Sequence, residues 1–121
     1  MHGSGLVEFL PHGHEHLSLD ALSATDARKE ITTSLAYLQE LLGDVPKLYA
    51  YAKGRYTKET QDILHEEGFE AAVTVKPGLV RPSSNAIALP RNPVGDDTTL
   101  SEFKARLGRA GEWYERMKLW R

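Results

Sequence analysis

Cysteine is absent from the sequence, and this absence narrows the kinds of site that the chain can build. Without thiols there is no disulfide framework and no thiolate metal site. A bound metal ion would therefore have to be held by histidine, aspartate, glutamate or water. The redox compartment stays undetermined, and so does the localisation.

Long apolar runs and a strong charge of one sign are also missing. No apolar stretch approaches the roughly 18 residues of a transmembrane helix. Residues 1–5 lack the basic and apolar regions of a signal peptide, and we interpret them as a tag or linker remnant. The formal net charge of −2 gives no electrostatic reason to expect binding to nucleic acid or to an anionic membrane surface. The composition is that of an ordinary soluble globular protein.

The length of 121 residues suits a single domain that is smaller than a complete (β/α) barrel. Short apolar segments predict strands at residues 6–10, 47–52, 70–75 and 86–89. Helical patterns alternate with these segments. Such alternation implies parallel βαβ units, whose ligands normally collect beyond the carboxyl ends of the strands.

Three helices are predicted from capping residues and apolar spacing. Ser23 begins a first helix of about five turns, which Gly43 ends. Thr57 caps a second helix that runs to Glu67. Thr99, followed by a glutamate three residues later, matches the capping box that opens a last helix.

A cluster of histidines follows the first predicted strand. Three of the five histidines, His12, His14 and His16, fall within five consecutive residues. Pro11 and Gly13 disfavour regular structure, so these side chains are expected in a loop. Neutral imidazole is a good ligand for zinc and similar divalent ions, and such a loop can bring two or three ring nitrogens around one ion. The alternative is a set of solvated or phosphate-binding histidines in an ordinary loop.

With these elements in this order, the chain resembles the polysaccharide deacetylase family, or NodB homology domain, over residues 6–107. The family's metal-binding motif is H-[ST]-x-x-H, often varied to H-G-x-x-H, and residues 12–16 read His-Gly-His-Glu-His. Residues 51–56 are similar to the family's aromatic-Pro-aromatic-Gly motif. The Pro-Gly pair at 77–78 and the Leu-Pro-Arg segment at 89–91 look like two further family segments.

The resemblance implies an α/β fold, here an incomplete (β/α) barrel of the NodB type with mostly parallel strands alternating with helices. Residues 6–107 would form this partial domain, and residues 108–121 a C-terminal helical extension. Family members use a divalent ion, usually zinc, to polarise an N-acetyl carbonyl and activate water, which removes acetate from a sugar. The implied function is therefore that of a hydrolase acting on non-peptide C–N bonds of a carbohydrate.

The resemblance also assigns expected roles to individual residues. His12 and His16 are the expected metal ligands. His14 lies between them and matches no ligand position of the family. It is either an additional ligand or hydrogen-bond donor at the metal, or an ordinary loop histidine. The backbone N–H of Lys53 is the expected oxyanion donor, since that role does not depend on the side chain. Three further residues are candidates for contact with the substrate: Tyr51, Arg81 and Arg91.

One part of the family pattern has no counterpart. An Asp-Asp pair on the family's first strand supplies the general base and the third metal ligand, and we interpret this chain as beginning after that strand. Two histidines without a carboxylate bind metal weakly and leave no base. Glu8, Glu15 and Asp20 are the acidic residues that could substitute. The expected function is thus an impaired or partner-dependent deacetylase, or else a non-catalytic module that binds carbohydrate or protein.

A homodimer is the expected assembly. A parallel sheet that lacks the family's first strand has an open edge, which invites pairing with a second copy. An apolar stripe between Leu100 and Met117 is typical of a helix that packs against another surface. The alternative is that this stripe folds back on the chain's own sheet.

Overall fold

A computed structural model describes residues 2–108 of the chain. The longer elements are, in order, α1 (Ala24–Leu42), β1 (Leu48–Ala50), α2 (Lys58–Glu66), β2 (Ala71–Val73) and α3 (Leu100–Arg106). Short 3-10 helices cover His2–Ser4, Leu19–Ala21, Ala52–Gly54 and Ala86–Ala88. Helices and strands alternate, as the sequence predicts.

The sheet is built from β1 and β2, which pair in parallel with Tyr49 opposite Ala72. Leu89 adds a single parallel bridge beside Val73. Its N–H donates to the carbonyl of Ala72 at 2.8 Å. Because β1 and β2 are parallel and joined through α2, they form the predicted βαβ unit.

Two of the four predicted strands are absent from the described part of the chain. Residues 6–10 have no regular secondary structure and no strand pairing, and Leu6 is 89% exposed. Residues 86–88 form a 3-10 helix instead, begun by Asn85, whose side chain accepts a hydrogen bond from the Ile87 N–H. Both predictions were wrong because a strand needs a neighbouring strand to pair with, and an apolar run does not supply one.

The three predicted helices are confirmed, each with its predicted N-cap residue: Ser23, Thr57 and Thr99. The Ser23 hydroxyl accepts a hydrogen bond from the Asp26 N–H at 3.2 Å. Gly43 ends α1 with φ at 81°, a value that glycine adopts without the cost that a Cβ imposes. Local signals of this kind therefore determine where these helices begin and end.

The core lies between the sheet and the two longer helices. Its largest fully buried apolar side chains come from the region of the sheet, from the two helices and from two of the 3-10 helices: Leu19, Ile31, Tyr49, Tyr51, Leu64 and Ile87. Burying such a side chain stabilises the fold by about 1.5–3 kcal/mol relative to leaving it in water. No helix of residues 2–108 is long and apolar enough to cross a membrane. The predicted C-terminal helical extension lies, beyond Gly108, outside the described residues.

Candidate metal centre

The histidine loop lies at the carboxyl end of β1. The N–H of Ala50, the last residue of this strand, donates to the carbonyl of Pro11 at 3.1 Å. The carbonyl of Ala50 in turn accepts a hydrogen bond from Nδ1 of His12 at 2.7 Å. The loop is therefore attached to the edge of the sheet at which ligands collect in parallel α/β folds.

The hydrogen bond of His12 decides which of its ring nitrogens is available. A carbonyl oxygen only accepts, so Nδ1 carries the proton and Nε2 keeps the lone pair. A metal ion would thus bind Nε2. A hydrogen bond from the second ring nitrogen to a carbonyl is the usual way in which proteins orient a metal-binding imidazole.

His12 and His16 lie side by side. Their ring centroids are 4.9 Å apart and the rings are inclined by 65°. Two imidazoles on one tetrahedral zinc ion, with Zn–N bonds of about 2.0–2.1 Å, have centroids about 5 Å apart. Both side chains are exposed. The spacing and accessibility of this pair therefore fit two ligands of one divalent ion.

His14 lies apart from this pair. Its Nε2 is 3.5 Å from Oε1 of Glu15, and its ring meets the edge of Tyr37 on α1 at 6.3 Å between centroids. With Lys29 it lines a cleft between the loop and α1. This placement favours the interpretation of His14 as a loop histidine.

A third ligand is missing from the described residues. Within residues 2–108 no group of three histidine, aspartate or glutamate side chains lies close enough together to hold a metal ion. Asp20 instead accepts a hydrogen bond from the Ser18 hydroxyl, and its carboxylate lies 3.5 Å from the Arg55 guanidinium. The hydrogen bond from Ser18 is the main cause that lowers the pKa of Asp20, and the charge of Arg55 lowers it further. Glu8 lines a cleft with residues 44–46, which precede β1, and so lies away from the carboxyl end of that strand.

Lys53 occupies a tight turn directly after β1. Its φ of 57° is in the left-handed region, and Gly54 follows with φ at 68°. A Cβ at Gly54 would lie 2.8 Å from Cγ1 of Val75, so this turn packs closely against the chain that follows β2. Lys53 is three residues beyond Ala50, which holds His12. The expected oxyanion donor and the expected ligands therefore belong to the same end of the sheet.

The candidates for substrate contact lie in different surroundings. Tyr51 has no exposed surface, and its hydroxyl donates to the carbonyl of Ile87 at 2.8 Å, so it packs in the core and does not offer a contact to a substrate. Arg81 and Arg91 are exposed in the segments that follow β2. The backbone N–H of Arg91 donates to the carbonyl of Lys76 at 2.9 Å. Of these three candidates, the two arginines are the exposed ones.

Glu30 is a feature of the site that sequence reasoning missed. It lies within α1 and is only 6% exposed. Its Oε1 atom accepts hydrogen bonds from the backbone N–H groups of Glu15, at 2.7 Å, and Leu17, at 3.3 Å. The only signal in the sequence is its position beside Ile31 in the apolar stripe of α1. A buried carboxylate therefore holds the backbone on both sides of His16.

The space around Gly13 is closed by Glu30 and Tyr49. A Cβ at residue 13 would lie 2.9 Å from Oε1 of Glu30 and 3.6 Å from the Tyr49 hydroxyl, and φ is 95°. The Tyr49 hydroxyl is buried and has no hydrogen-bond partner among the described residues. Burial, and then the negative charge of Glu30, raises the pKa of Tyr49. Glycine at this position is thus favoured by its positive φ, and any Cβ there would also require the Glu30 carboxylate to shift.

Several solved structures share this fold. The deacetylase PplD of Streptococcus pyogenes, solved in complex with acetate, has a TM-score of 0.78 at 22% identity, covering 83% of this chain and 44% of that one. A polysaccharide deacetylase from Bacillus cereus has a TM-score of 0.77 at 20% identity, covering 88% and 34%. The deacetylase domain of BpsB from Bordetella bronchiseptica has a TM-score of 0.67 at 19% identity, covering 74% and 44%. The chain spans less than half the length of each, which confirms the predicted incomplete barrel.

Comparison of the sequence with protein-family profiles identifies the family. No curated protein matches the chain. The sequence profile of the polysaccharide deacetylases matches residues 1–72, a stretch that contains the histidine loop, β1 and α2. This match covers more than half of the 121 residues. The chain therefore belongs to the polysaccharide deacetylase family.

Proposed function

We propose that this chain contributes the histidine half of the metal centre of a carbohydrate deacetylase, in which His12 and His16 hold a divalent ion, best matched by zinc. The reaction is the hydrolysis of N-acetyl groups on a carbohydrate. The ion, when bound, would polarise the amide carbonyl and acidify its water. The observation that carries the proposal is the pair of rings 4.9 Å apart, with Nδ1 of His12 bonded to Ala50.

The remaining residues have supporting roles in this proposal. The hydrogen bond to Ala50 orients His12 so that Nε2 is presented. The N–H of Lys53 donates to the oxyanion that develops on the substrate carbonyl. Arg81 and Arg91 contact the hydroxyl groups of the sugar. Lys53 follows β1, and Arg81 and Arg91 follow β2, which supports their contribution to a site beyond the carboxyl ends of these strands.

The general base would come from outside the described residues. Loss of a general base alone typically costs about 10²- to 10⁴-fold in rate, and the third ligand would be missing as well. We therefore expect the isolated 121-residue chain to release little or no acetate. Rapid metal-dependent acetate release from N-acetylated oligosaccharides by this chain would contradict the expectation.

Zinc titration tests the ligand pair directly. Calorimetry should show modest binding to the wild type and no binding to the variant carrying both His12→Ala and His16→Ala. His14→Ala is the matched control, since it removes an imidazole from the same loop and should leave the isotherm unchanged. Identical isotherms for the wild type and the double variant would exclude the proposed site.

A second candidate function is a non-catalytic module that binds carbohydrate. The observation in its favour is the lack of a third metal-binding side chain within residues 2–108. A module of this kind would bind N-acetylated oligosaccharides with or without zinc and release no acetate, even when a chain that supplies the carboxylates is added. Acetate release on such addition would favour the deacetylase.

We also propose that residues 6–107 form one partial deacetylase domain, that residues 108–121 extend it as a helix, and that the chain forms a homodimer. Exposed apolar side chains near the N-terminus and on α3 support self-association: Leu6 is 89% exposed and Leu100 67%. Light scattering at several concentrations, with and without residues 109–121, tests this assembly. A chain that stays monomeric at every concentration would rule out the dimer.

A further inference from the structure

We propose that Glu30 is a positioning residue for the metal centre, which acts by holding the backbone of the histidine loop so that His16 faces His12. This inference rests on the proposed metal-binding function. Glu30 does not bind the ion itself in this proposal; its carboxylate accepts hydrogen bonds from the backbone of the loop. Its role is to make the second ligand available in a fixed orientation.

The first argument is the conformation of the loop. His16 has φ at 57°, a left-handed value that is uncommon for a residue with a side chain. A single left-handed residue turns neighbouring N–H groups towards one side, where they form a concave site for an anionic oxygen. Here the N–H groups of Glu15 and Leu17, on either side of His16, both point at Oε1 of Glu30. The unusual conformation of His16 and the carboxylate thus explain each other.

The second argument is the anchoring of that carboxylate. Glu30 is part of α1, a helix of 19 residues that packs on the core through neighbours such as Ile31, which is fully buried. Glu30 is only 6% exposed, so its hydrogen bonds to the loop satisfy a largely buried acceptor, and losing them would be costly. A loop held by such a group has a position determined by the core.

The third argument comes from Gly13. The Oε1 atom of Glu30 would be 2.9 Å from a Cβ at this position, so Glu30 fills the space that a side chain at residue 13 would enter. A serine or threonine at this position would require the Glu30 carboxylate to shift and would strain the backbone, whose φ is 95°. Glu30 and Gly13 therefore shape this loop together. The two expected metal ligands, His12 and His16, lie on either side of Gly13 in the chain.

Two substitutions separate hydrogen bonding from side-chain bulk. Glu30→Leu introduces an apolar side chain of similar size and so removes the acceptor. Glu30→Gln keeps a carbonyl oxygen that can accept hydrogen bonds from the loop. Leu35→Ala is the control for stability, because Leu35 is buried on the same helix and makes no hydrogen bond to the loop. Zinc affinity is measured by calorimetry, and amide hydrogen exchange of Glu15 and Leu17 is measured without metal.

We expect Glu30→Leu to weaken zinc binding by about 10- to 100-fold, the usual effect of removing a group that orients a metal ligand. Glu30→Gln and Leu35→Ala should bind zinc nearly as the wild type does. Exchange of the two amides should accelerate in Glu30→Leu and stay slow in Glu30→Gln.

Three results would overturn the inference, and each contradicts a different part of it. Wild-type zinc affinity in Glu30→Leu, with no binding by the double histidine variant, would remove the role of Glu30 and leave the metal site intact. Unchanged exchange of both amides in Glu30→Leu would show that the carboxylate does not hold the loop. A wild-type chain that binds no zinc would overturn the proposed function itself, and with it any role of Glu30 in metal binding.

Discussion

Tyr49 and Tyr51 offer a sharp test of the structure, because they are the same residue type, two positions apart, with opposite hydrogen bonding. Both are almost completely buried. The Tyr51 hydroxyl donates to the carbonyl of Ile87 at 2.8 Å, whereas the Tyr49 hydroxyl has no partner among the described residues. Replacement by phenylalanine removes one oxygen atom from each site and keeps the ring. The difference between the two variants therefore isolates the hydrogen bond.

The expected magnitudes follow from this contrast. Tyr51→Phe leaves the Ile87 carbonyl without its donor, which should lower the free energy of unfolding by about 1–2 kcal/mol. Tyr49→Phe removes a buried hydroxyl that makes no hydrogen bond, a burial that costs about 1–3 kcal/mol. This second variant should be as stable as the wild type or more stable. We expect the two free energies of unfolding to differ by about 2–3 kcal/mol, with Tyr51→Phe the less stable.

Urea denaturation followed by far-ultraviolet circular dichroism measures both values. The two variants should share the wild-type dependence of unfolding free energy on urea concentration, since neither changes the surface that unfolding exposes. Equal losses in the two variants would refute the reasoning, because the hydroxyls would then be equivalent. A larger loss for Tyr49→Phe would refute it as well.

Three further predictions concern the loops and the buried phenols. Gly54→Ala should lower the free energy of unfolding by about 2–4 kcal/mol, because a Cβ there is disfavoured by the positive φ and by the close approach of Val75. Adding Val75→Ala should recover part of this loss. Urea denaturation in which the effects of the two substitutions simply add would contradict the prediction. Gly13→Ala should weaken zinc binding through the contact with Glu30, and an unchanged calorimetric titration would count against it. Burial raises the pKa of Tyr49 and Tyr51. The stability that they contribute is therefore complete below pH 10, about the pKa of tyrosine in the unfolded chain, and is lost as the pH rises above it. An absorbance titration in which every tyrosine of the folded protein ionises near pH 10 would contradict this prediction.

The sequence by itself determined the three helices, the order of the elements and the loop that carries the ligands. These features depend on local signals, since a capping side chain such as Thr57 bonds to a backbone group only three residues away. The candidate ligands His12 and His16 are likewise four residues apart, so their neighbourhood in space follows largely from their neighbourhood in the chain. The incomplete barrel of the family was predictable from the same order of motifs.

Tertiary structure alone decided which apolar runs became strands and which polar groups support the site. Residues 6–10 have the composition of a strand but find no strand beside them in the described chain, and pairing depends on a partner that composition does not specify. Tyr51, predicted to contact a substrate, is buried, and its hydroxyl donates to the carbonyl of Ile87, 36 positions away in the chain. Glu30 looks like an ordinary charged helix residue until α1 packs beneath the histidine loop. Contacts between residues distant in sequence have no local signature, so only the folded chain shows them.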